Sequence, residues 1–135
     1  MLKKLLLLSS VFVATALSFA ADITQLSAAD AAALVRKGQA VLVDVREPAE
    51  WKETGVAQPA VLLEKSDFDG AKAAWAPFLA KTPKDKTVIL YCRSGKRAGV
   101  LAEALAAQGY RVANAGGMKD WTDAGLPVRQ FDGHP

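Results

Sequence analysis

Two short apolar runs constrain the fold more than any other feature of this sequence. Residues 40–45 (AVLVDV) and 87–91 (TVILY) are too short for buried helices and are rich in β-branched side chains, as buried parallel strands are. Residues 96–108 follow the second run with a helical apolar pattern, which Gly109 ends. The apolar stripe of that helix is expected to consist of Val100, Leu101, Ala104 and Leu105.

Further short elements alternate along the chain. A helix is expected to begin after Ser27, which is a good N-cap residue, and to end at Gly38. A second helix is expected over residues 69–81, where Pro77 should end or kink it, and Gly116–Gly117 should form a turn. Short strands are expected over residues 60–63 and 110–113, and a helical turn over residues 48–51. This alternation predicts an α/β fold, with a central parallel sheet of about five short strands and helices on both faces.

The N-terminal residues have the pattern of a secretory signal peptide. A basic start, MLKK, precedes the apolar run Leu5–Leu17, and Ser18-Phe19-Ala20 places small residues where a signal peptidase cleaves. We expect cleavage after Ala20, so that residues 1–20 are the signal peptide and residues 21–135 form a single domain. A membrane anchor is the alternative, but the apolar run is shorter than the roughly 20 residues of a spanning helix. The mature protein is therefore expected to be exported and free of the membrane.

The charge balance excludes some classes of partner. The chain has 17 basic and 14 acidic residues, and cleavage would remove Lys3 and Lys4 but no acidic residue, which leaves a net charge near +1. So small an excess argues against a general role in binding nucleic acid or a membrane surface. Any positive potential that matters to function must therefore be local.

Cys92 is the only cysteine, and its neighbours favour a reactive thiol over an inert buried one. It directly follows the strand at 87–91 and precedes the helix at 96–108, whose first N–H groups have no partner within the helix. Gly95 allows a tight turn that aims such N–H groups inward, where they favour an anionic sulfur. We therefore expect Cys92 to be the catalytic nucleophile and to be largely ionised at neutral pH.

The loop after Cys92 is expected to bind an anionic substrate, because three of its residues are cations. Its substrate-binding residues are expected to be Arg93, Ser94, Gly95, Lys96 and Arg97. Ser94 should donate a hydrogen bond either to the sulfur or to the loop backbone, and both alternatives stay open. The four residues between Cys92 and Arg97 make a loop that is small for a tetrahedral phosphate. Such a loop is better sized for a single sulfur or selenium atom.

Two other classes of cysteine chemistry fit this sequence less well. Cysteine phosphatases place the arginine that clamps phosphate one position later than Arg97, where this chain has Ala98. Papain-type hydrolysis needs a histidine base, and the only histidine, His134, is next to the last residue. A solvent-exposed tail position is the expected place for that histidine.

A second polar pair is expected beside the cysteine loop. Asp44 and Arg46 lie at the end of the strand at 40–45, and ligands of parallel sheets bind outside the carboxyl ends of the strands. Asp44 and Arg46 are therefore possible supporting residues of the site. Arg46 either faces the site or pairs with Glu50, and the pairing is the favoured alternative.

Three motifs resemble the rhodanese family of sulfurtransferases. CRSGKR (92–97), after an apolar strand, is similar to the six-residue active-site loop of that family, and DVREPAEW (44–51) is similar to its upstream signature. GGMKDW (116–121) with GLPV (125–128) is similar to its C-terminal signature. One departure is GVAQPA (55–60), which stands where the family usually has Gly-His-Ile-Pro-Gly-Ala. We expect this departure to alter local packing and to leave the chemistry intact.

The resemblance implies a specific activity. Together with the signal peptide, it indicates the small, periplasmic, single-domain branch of the family, the phage-shock-protein-E-like type. Such an enzyme would take sulfane sulfur from thiosulfate onto Cys92 as a persulfide and pass it to cyanide or a thiol, without a metal or organic cofactor. The alternative is a sulfur carrier or a partner-binding module that does not turn over. Burial of Cys92 away from solvent would contradict the enzymatic expectation.

Overall fold

The computed structural model describes residues 10–14 and 22–134. The expected cleavage point after Ala20 and most of the expected signal peptide lie outside these residues, so the signal peptide stays a prediction. None of the helices in the described part of the chain has the length and apolarity that crossing a membrane requires.

Strands and helices alternate over residues 24–129, as the sequence predicts. The strands are β1 (Thr24–Gln25), β2 (Ala40–Asp44), β3 (Val56–Ala57), β4 (Val61–Leu62), β5 (Thr87–Cys92), β6 (Val112–Gly117) and β7 (Val128–Arg129). The helices are α1 (Ala28–Arg36), α2 (Pro48–Thr54), α3 (Lys65–Asp69), α4 (Trp75–Lys81), α5 (Lys96–Ala107) and α6 (Met118–Asp123).

A five-stranded parallel sheet forms the centre of the domain, in the order β1-β6-β5-β2-β4. This sheet confirms the predicted fold class. The short strands β3 and β7 pair antiparallel outside it. β3 belongs to the segment that departs from the family pattern, and both of its residues, Val56 and Ala57, are buried.

Alternate side chains of the central strands face opposite layers of helices. Ile89 and Tyr91 of β5 pack in one cluster with residues of α1, α2 and α6. Val88, Leu90 and Cys92 pack in a second cluster with residues of α3, α4 and α5. Because side chains alternate along a strand with a period of two, both faces of the sheet are buried, as expected.

The helix expected over residues 69–81 begins only at Trp75, as α4, because α3 ends at Asp69, and the predicted role of Pro77 was wrong. The chain leaves α3 at Gly70, and the Asp67 carboxylate accepts hydrogen bonds from the backbone N–H groups of residues 73–75 at the start of α4. Pro77 lies in the first turn of α4. A proline is tolerated there because N–H groups of the first turn have no partner within the helix.

The expected turn at Gly116–Gly117 is also wrong, since these residues complete β6. The pairing of β5 with β6 shifts between Leu90, which lies opposite Asn114, and Cys92, which lies opposite Gly117. One extra residue of β6 is accommodated at this bulge, where Gly116 has a φ of +79°. The bulge brings the glycines of β6 next to the candidate nucleophile.

The buried face of α5 shares only Leu101 and Leu105 with the predicted stripe, in which Ala104 is half-buried. Leu101 and Leu105 are buried, together with Ala98 and Ala102, but Val100 is 56% exposed. The packed face of this helix therefore includes small residues that a search for large apolar side chains overlooks.

We expect Leu101→Ala to lower the free energy of unfolding by about 2–5 kcal/mol, because it opens a cavity between α5 and the sheet. The matched change Val100→Ala, on the exposed face of the same helix, should alter it by no more than about 0.5 kcal/mol. Urea denaturation followed by circular dichroism measures both. Equal losses for the two variants would contradict the assignment of the buried face.

Candidate active site

Two groups of residues predicted from the sequence meet at the carboxyl edge of the sheet. β2 pairs with β5, and Asp44 lies opposite Tyr91 in that pairing. Asp44 ends β2 and Cys92 ends β5, so the Asp44–Arg46 segment and the cysteine loop leave the sheet side by side. Parallel pairing accounts for this placement, because it sets both strand ends at one edge.

The Cys92 sulfur accepts a hydrogen bond from the start of α5. The backbone N–H of Gly95 donates to Sγ at 3.0 Å. Gly95 is the N-cap residue of α5 and has a φ of +92°, a conformation that favours glycine. A hydrogen bond from an amide at the positive end of a helix stabilises an anionic sulfur more than a neutral one. The structure therefore contains the N–H contact that the loop sequence predicts.

Cys92 is buried, which is the observation that the sequence analysis set against an enzymatic role. The residue is 1% exposed and packs among apolar residues of α5 and the sheet. The structure therefore leaves little of Cys92 open to solvent beneath the loop at 93–96. Arg93, Ser94 and Lys96 in that loop are themselves exposed.

The three cations of the loop are not equivalent. Arg97 donates to both carboxylate oxygens of Glu50, at 2.6 and 2.8 Å, whereas Arg93 and Lys96 are exposed. These hydrogen bonds are the main cause that lowers the pKa of Glu50 and raises the pKa of Arg97. Because the pKa of folded Glu50 is lowered, the pair is intact at neutral pH and is lost only as the pH falls through that pKa. Arg93 and Lys96 are thus the loop cations left to attract an anion.

The Ser94 side chain lies at the surface of the loop. Within the described residues its hydroxyl donates neither to Sγ nor to the loop backbone, the two alternatives that the sequence left open. It remains a candidate contact for a bound substrate.

Arg46 pairs with Asp44, so the favoured pairing with Glu50 was wrong. The guanidinium of Arg46 contacts both Asp44 oxygens, with a shortest distance of 2.8 Å, and it also donates to Thr54 Oγ1 and the Gly55 carbonyl. Burial opposes the charge on Arg46, but the hydrogen bond and the charge of Asp44 outweigh it and raise its pKa. Asp44 is fully buried and Arg46 is 2% exposed, so the pair ties β2 to the end of α2.

A pocket of about 280 Å³ opens beside the cysteine loop. Its walls include Glu50 and Glu53 of α2, Lys119 of α6 and Arg93 of the loop. Arg46 also lines it, so the alternative that Arg46 faces the site agrees with the structure. Cys92 is not among the described residues that line it. The pocket therefore presents charged groups of both signs next to the loop, with the sulfur beneath the loop backbone.

Three residues at this edge were missed by the sequence analysis as parts of the site. Glu50 was considered only as a partner of Arg46, although its acidic side chain pairs with Arg97. Asn114 contacts the loop from β6 and could have been found as a lone polar residue in an otherwise small and apolar strand. Gly117 contacts the Arg93 carbonyl so closely that a Cβ built there would lie 2.1 Å from its oxygen.

The fold and the site together define a class: a small α/β domain with a candidate cysteine nucleophile in a basic loop between a parallel strand and a helix. Residues 27–124 match the family model of the rhodanese-like domain, and the chain belongs to that family. It is therefore a rhodanese-like protein of the sulfurtransferase class. The predicted family is confirmed.

Curated relatives agree with this assignment. The chain is 37% identical over 90 residues to a sulfurtransferase of Allochromatium vinosum, covering 65% of this chain and 77% of the relative. It is 34% identical over 79 residues to the thiosulfate sulfurtransferase PspE of Escherichia coli, covering 58% and 70%. It is also 42% identical over 66 residues to the probable adenylyltransferase/sulfurtransferase MoeZ of Mycobacterium tuberculosis, covering 49% of this chain but only 14% of that longer protein.

A solved structure supports the same fold. The polysulfide-sulfur transferase homodimer of Wolinella succinogenes superposes with a TM-score of 0.65 at 28% identity, covering 83% of this chain and 82% of that chain. The similarity extends over nearly the whole domain that the structure describes.

We expect Glu50→Gln to free Arg97 and to make the site more attractive to anions. The rate of Cys92 alkylation by iodoacetate, relative to neutral iodoacetamide, should rise about twofold to threefold, as one unit of charge at this range predicts. Mass spectrometry of the alkylated protein measures both rates.

Glu53→Gln is the matched control, because Glu53 lines the same pocket but is not the partner of Arg97. If the iodoacetate-to-iodoacetamide rate ratio rises equally in Glu53→Gln, the effect comes from the loss of any nearby negative charge. An unchanged ratio in Glu50→Gln would contradict the proposed shielding of Arg97.

Proposed function

We propose that this protein is a thiosulfate sulfurtransferase that works through a persulfide on Cys92. The carrying observation is the 3.0 Å hydrogen bond from the Gly95 N–H to Sγ, within a loop whose exposed cations are Arg93 and Lys96. Similarity to a relative named thiosulfate sulfurtransferase supports the choice of donor. The basic loop favours a small dianion such as thiosulfate over a neutral donor.

The proposed reaction is a double displacement. The Cys92 thiolate attacks the outer sulfur of thiosulfate, so that an Sγ–S bond forms and the S–S bond of thiosulfate breaks. The electron pair of the broken bond leaves with sulfite, and a persulfide anion remains on Cys92. Cyanide then attacks the outer sulfur, which regenerates the thiolate and releases thiocyanate, and a thiolate acceptor would react in the same way.

The loop has two tasks in this reaction. Its backbone N–H groups stabilise negative charge on the sulfur before and after the first transfer. Arg93 and Lys96 attract the incoming dianion and favour the departure of sulfite as an anion. Because Cys92 is 1% exposed, we propose that the loop at 93–96 opens to admit the donor for the first transfer.

The same burial favours one alternative, a sulfur carrier or partner-binding module that does not turn over. A thiol that is exposed only rarely would accept one sulfur and hold it until a partner opens the loop. Slow opening of the loop and retention of the persulfide would distinguish this alternative from an enzyme with repeated turnover.

We expect purified protein to become one sulfur atom heavier after incubation with thiosulfate and to release one equivalent of sulfite. Addition of cyanide should then give continuous production of thiocyanate. Intact-mass spectrometry and colorimetric thiocyanate assays measure these steps. Cys92→Ser is the control and should lose both signals while it keeps the circular dichroism spectrum of the folded domain.

The outcomes separate the candidate functions. One equivalent of thiocyanate followed by no further turnover would favour the carrier. No added sulfur on a fully reduced protein would overturn the proposed function. Hydrolysis of an arylphosphate that is lost in Cys92→Ser would favour a phosphatase instead.

We also propose that the protein acts in the periplasm after removal of residues 1–20. β1 begins at Thr24, so cleavage after Ala20 would leave every strand of the central sheet intact. The mature protein should therefore fold and function without the segment that directs its export.

When the full chain is expressed in a Gram-negative host, we expect an osmotic-shock fraction to contain protein whose first residue is Ala21. Ala20→Leu should leave the precursor uncleaved, because a large side chain replaces a small one at the cleavage site. N-terminal sequencing and intact mass measure the result. An uncleaved chain in the membrane fraction of the wild type would support the anchor alternative, and an uncleaved chain in the cytoplasm would contradict export.

A further inference from the structure

Asn114 is a buried polar residue whose side chain links strand β6 to the cysteine loop. It is 6% exposed and lies on β6, opposite Leu90 of β5. Its Nδ2 donates to the Gly95 carbonyl at 2.8 Å, and its Oδ1 accepts from the Gly116 N–H at 2.9 Å. A side-chain amide buried in a small apolar strand is costly unless both atoms are paired, and here both are.

Two backbone groups, the carbonyl and the N–H, determine how Gly95 is oriented. The carbonyl accepts the bond from Asn114 and a second one, at 2.9 Å, from the Gly99 N–H, which is the first hydrogen bond of α5. The other polar group is the Gly95 N–H, which donates to Cys92 Sγ. The bond from α5 holds the carbonyl along the helix axis, whereas the bond from Asn114 holds it against the sheet.

β6 supports the loop at a second point. Gly117, opposite Cys92, lies against the Arg93 carbonyl, where a Cβ would approach to 2.1 Å. At Gly95 a Cβ would lie 3.2 Å from the Gly116 Cα, so the loop and β6 are in close contact there too. The Gly116 N–H bond in turn fixes the orientation of the Asn114 amide. The loop thus rests on β6, with Asn114 as its polar side-chain anchor.

We infer that Asn114 is a positioning residue for the candidate nucleophile: it holds Gly95 so that the Gly95 N–H points at Cys92 Sγ. This inference rests on the proposed function for its catalytic meaning but not for its test. Asn114 acts through Gly95, because its side-chain hydrogen bonds go to Gly95 and Gly116 and not to the sulfur. Its contribution is to keep the donor aligned when negative charge is present on the sulfur.

The chemistry of the side chain explains why an amide suits this position. The Gly95 carbonyl needs a donor and the Gly116 N–H needs an acceptor, and asparagine supplies both within one short side chain. Leucine has a similar shape and offers neither atom. Alanine also offers neither atom and adds no charge, whereas aspartate would place a new negative charge near the sulfur. Leucine and alanine therefore remove both contacts, with and without the bulk of the side chain.

The test is a spectroscopic titration of Cys92, which is possible because the chain has a single cysteine. The ultraviolet absorbance of the thiolate is followed against pH, with the spectrum of Cys92→Ser subtracted. We expect the midpoint to move upward by about one pH unit in Asn114→Leu, because the sulfur loses an aligned donor. Asn114→Ala, which adds no charge, should also move it upward and provides the answer if the leucine variant fails to fold.

Ala113→Gly is the matched control, which tests whether a loss of stability alone changes the titration of Cys92. Ala113 is the preceding residue of β6, is buried, and packs in the cluster on the opposite face of the sheet. Its replacement should lower the midpoint of thermal unfolding but leave the pH midpoint of the thiolate unchanged. A shift of the same size in Ala113→Gly, or no shift in the Asn114 variants, would overturn the positioning role.

Kinetics provide a second readout if thiosulfate is the donor. Asn114→Leu should lower kcat about tenfold, which corresponds to 1.36 kcal/mol, with a much smaller change in KM because Arg93 and Lys96 still attract the donor. A wild-type protein that forms no persulfide would refute the proposed function, while the titration would still decide the role of Asn114. A wild-type protein that forms the persulfide, with unchanged kcat and titration in both Asn114 variants, would refute only this inference.

Discussion

Parallel pairing of β2 with β5 places the ends of both strands at one edge of the sheet, and the candidate site is built on that edge. Cys92 ends one strand and Asp44 ends the other, so the loop that carries the thiol emerges beside the buried Asp44–Arg46 pair. An antiparallel pairing would have placed them at opposite edges. The hydrogen bond from the Gly95 N–H to Sγ is local to this loop, where α5 begins four residues after the end of β5.

Charge at this edge is balanced more closely than the basic loop suggests. Arg46 is neutralised by Asp44 and Arg97 by Glu50, so the attraction of anions falls to Arg93, Lys96 and the backbone N–H groups. The loop that favours an anionic sulfur also covers it, which leaves Cys92 almost inaccessible. Access to Cys92 and the charge around it are therefore both properties of this one loop. The contacts that hold the loop against β6 affect both properties.

The alternation of strands and helices could be predicted because it depends on local apolar patterns. The parallel sheet, the helices on both faces and the strand-end position of Cys92 all follow from those patterns. Two local predictions failed where tertiary contacts decide. The Asp67 carboxylate accepts hydrogen bonds at the start of α4, so that Pro77 lies in the first turn of that helix, where proline is tolerated. Pairing with β5 extends β6 through Gly116–Gly117. Such contacts join residues that are close in the folded chain, and a local sequence pattern does not show which residues these are.

By itself, the sequence determined the fold class, the family and the residues that make the loop basic, because these are properties of composition and order. Only the tertiary structure decided how the charges pair, that Cys92 is buried, and that Asn114 reaches the loop from another strand. Glu50 and Arg97 are far apart in sequence, as are Asn114 and Gly95, and they meet only when the sheet assembles. The physical reason is that hydrogen bonds and ion pairs depend on distances of a few ångströms, which the folded chain creates.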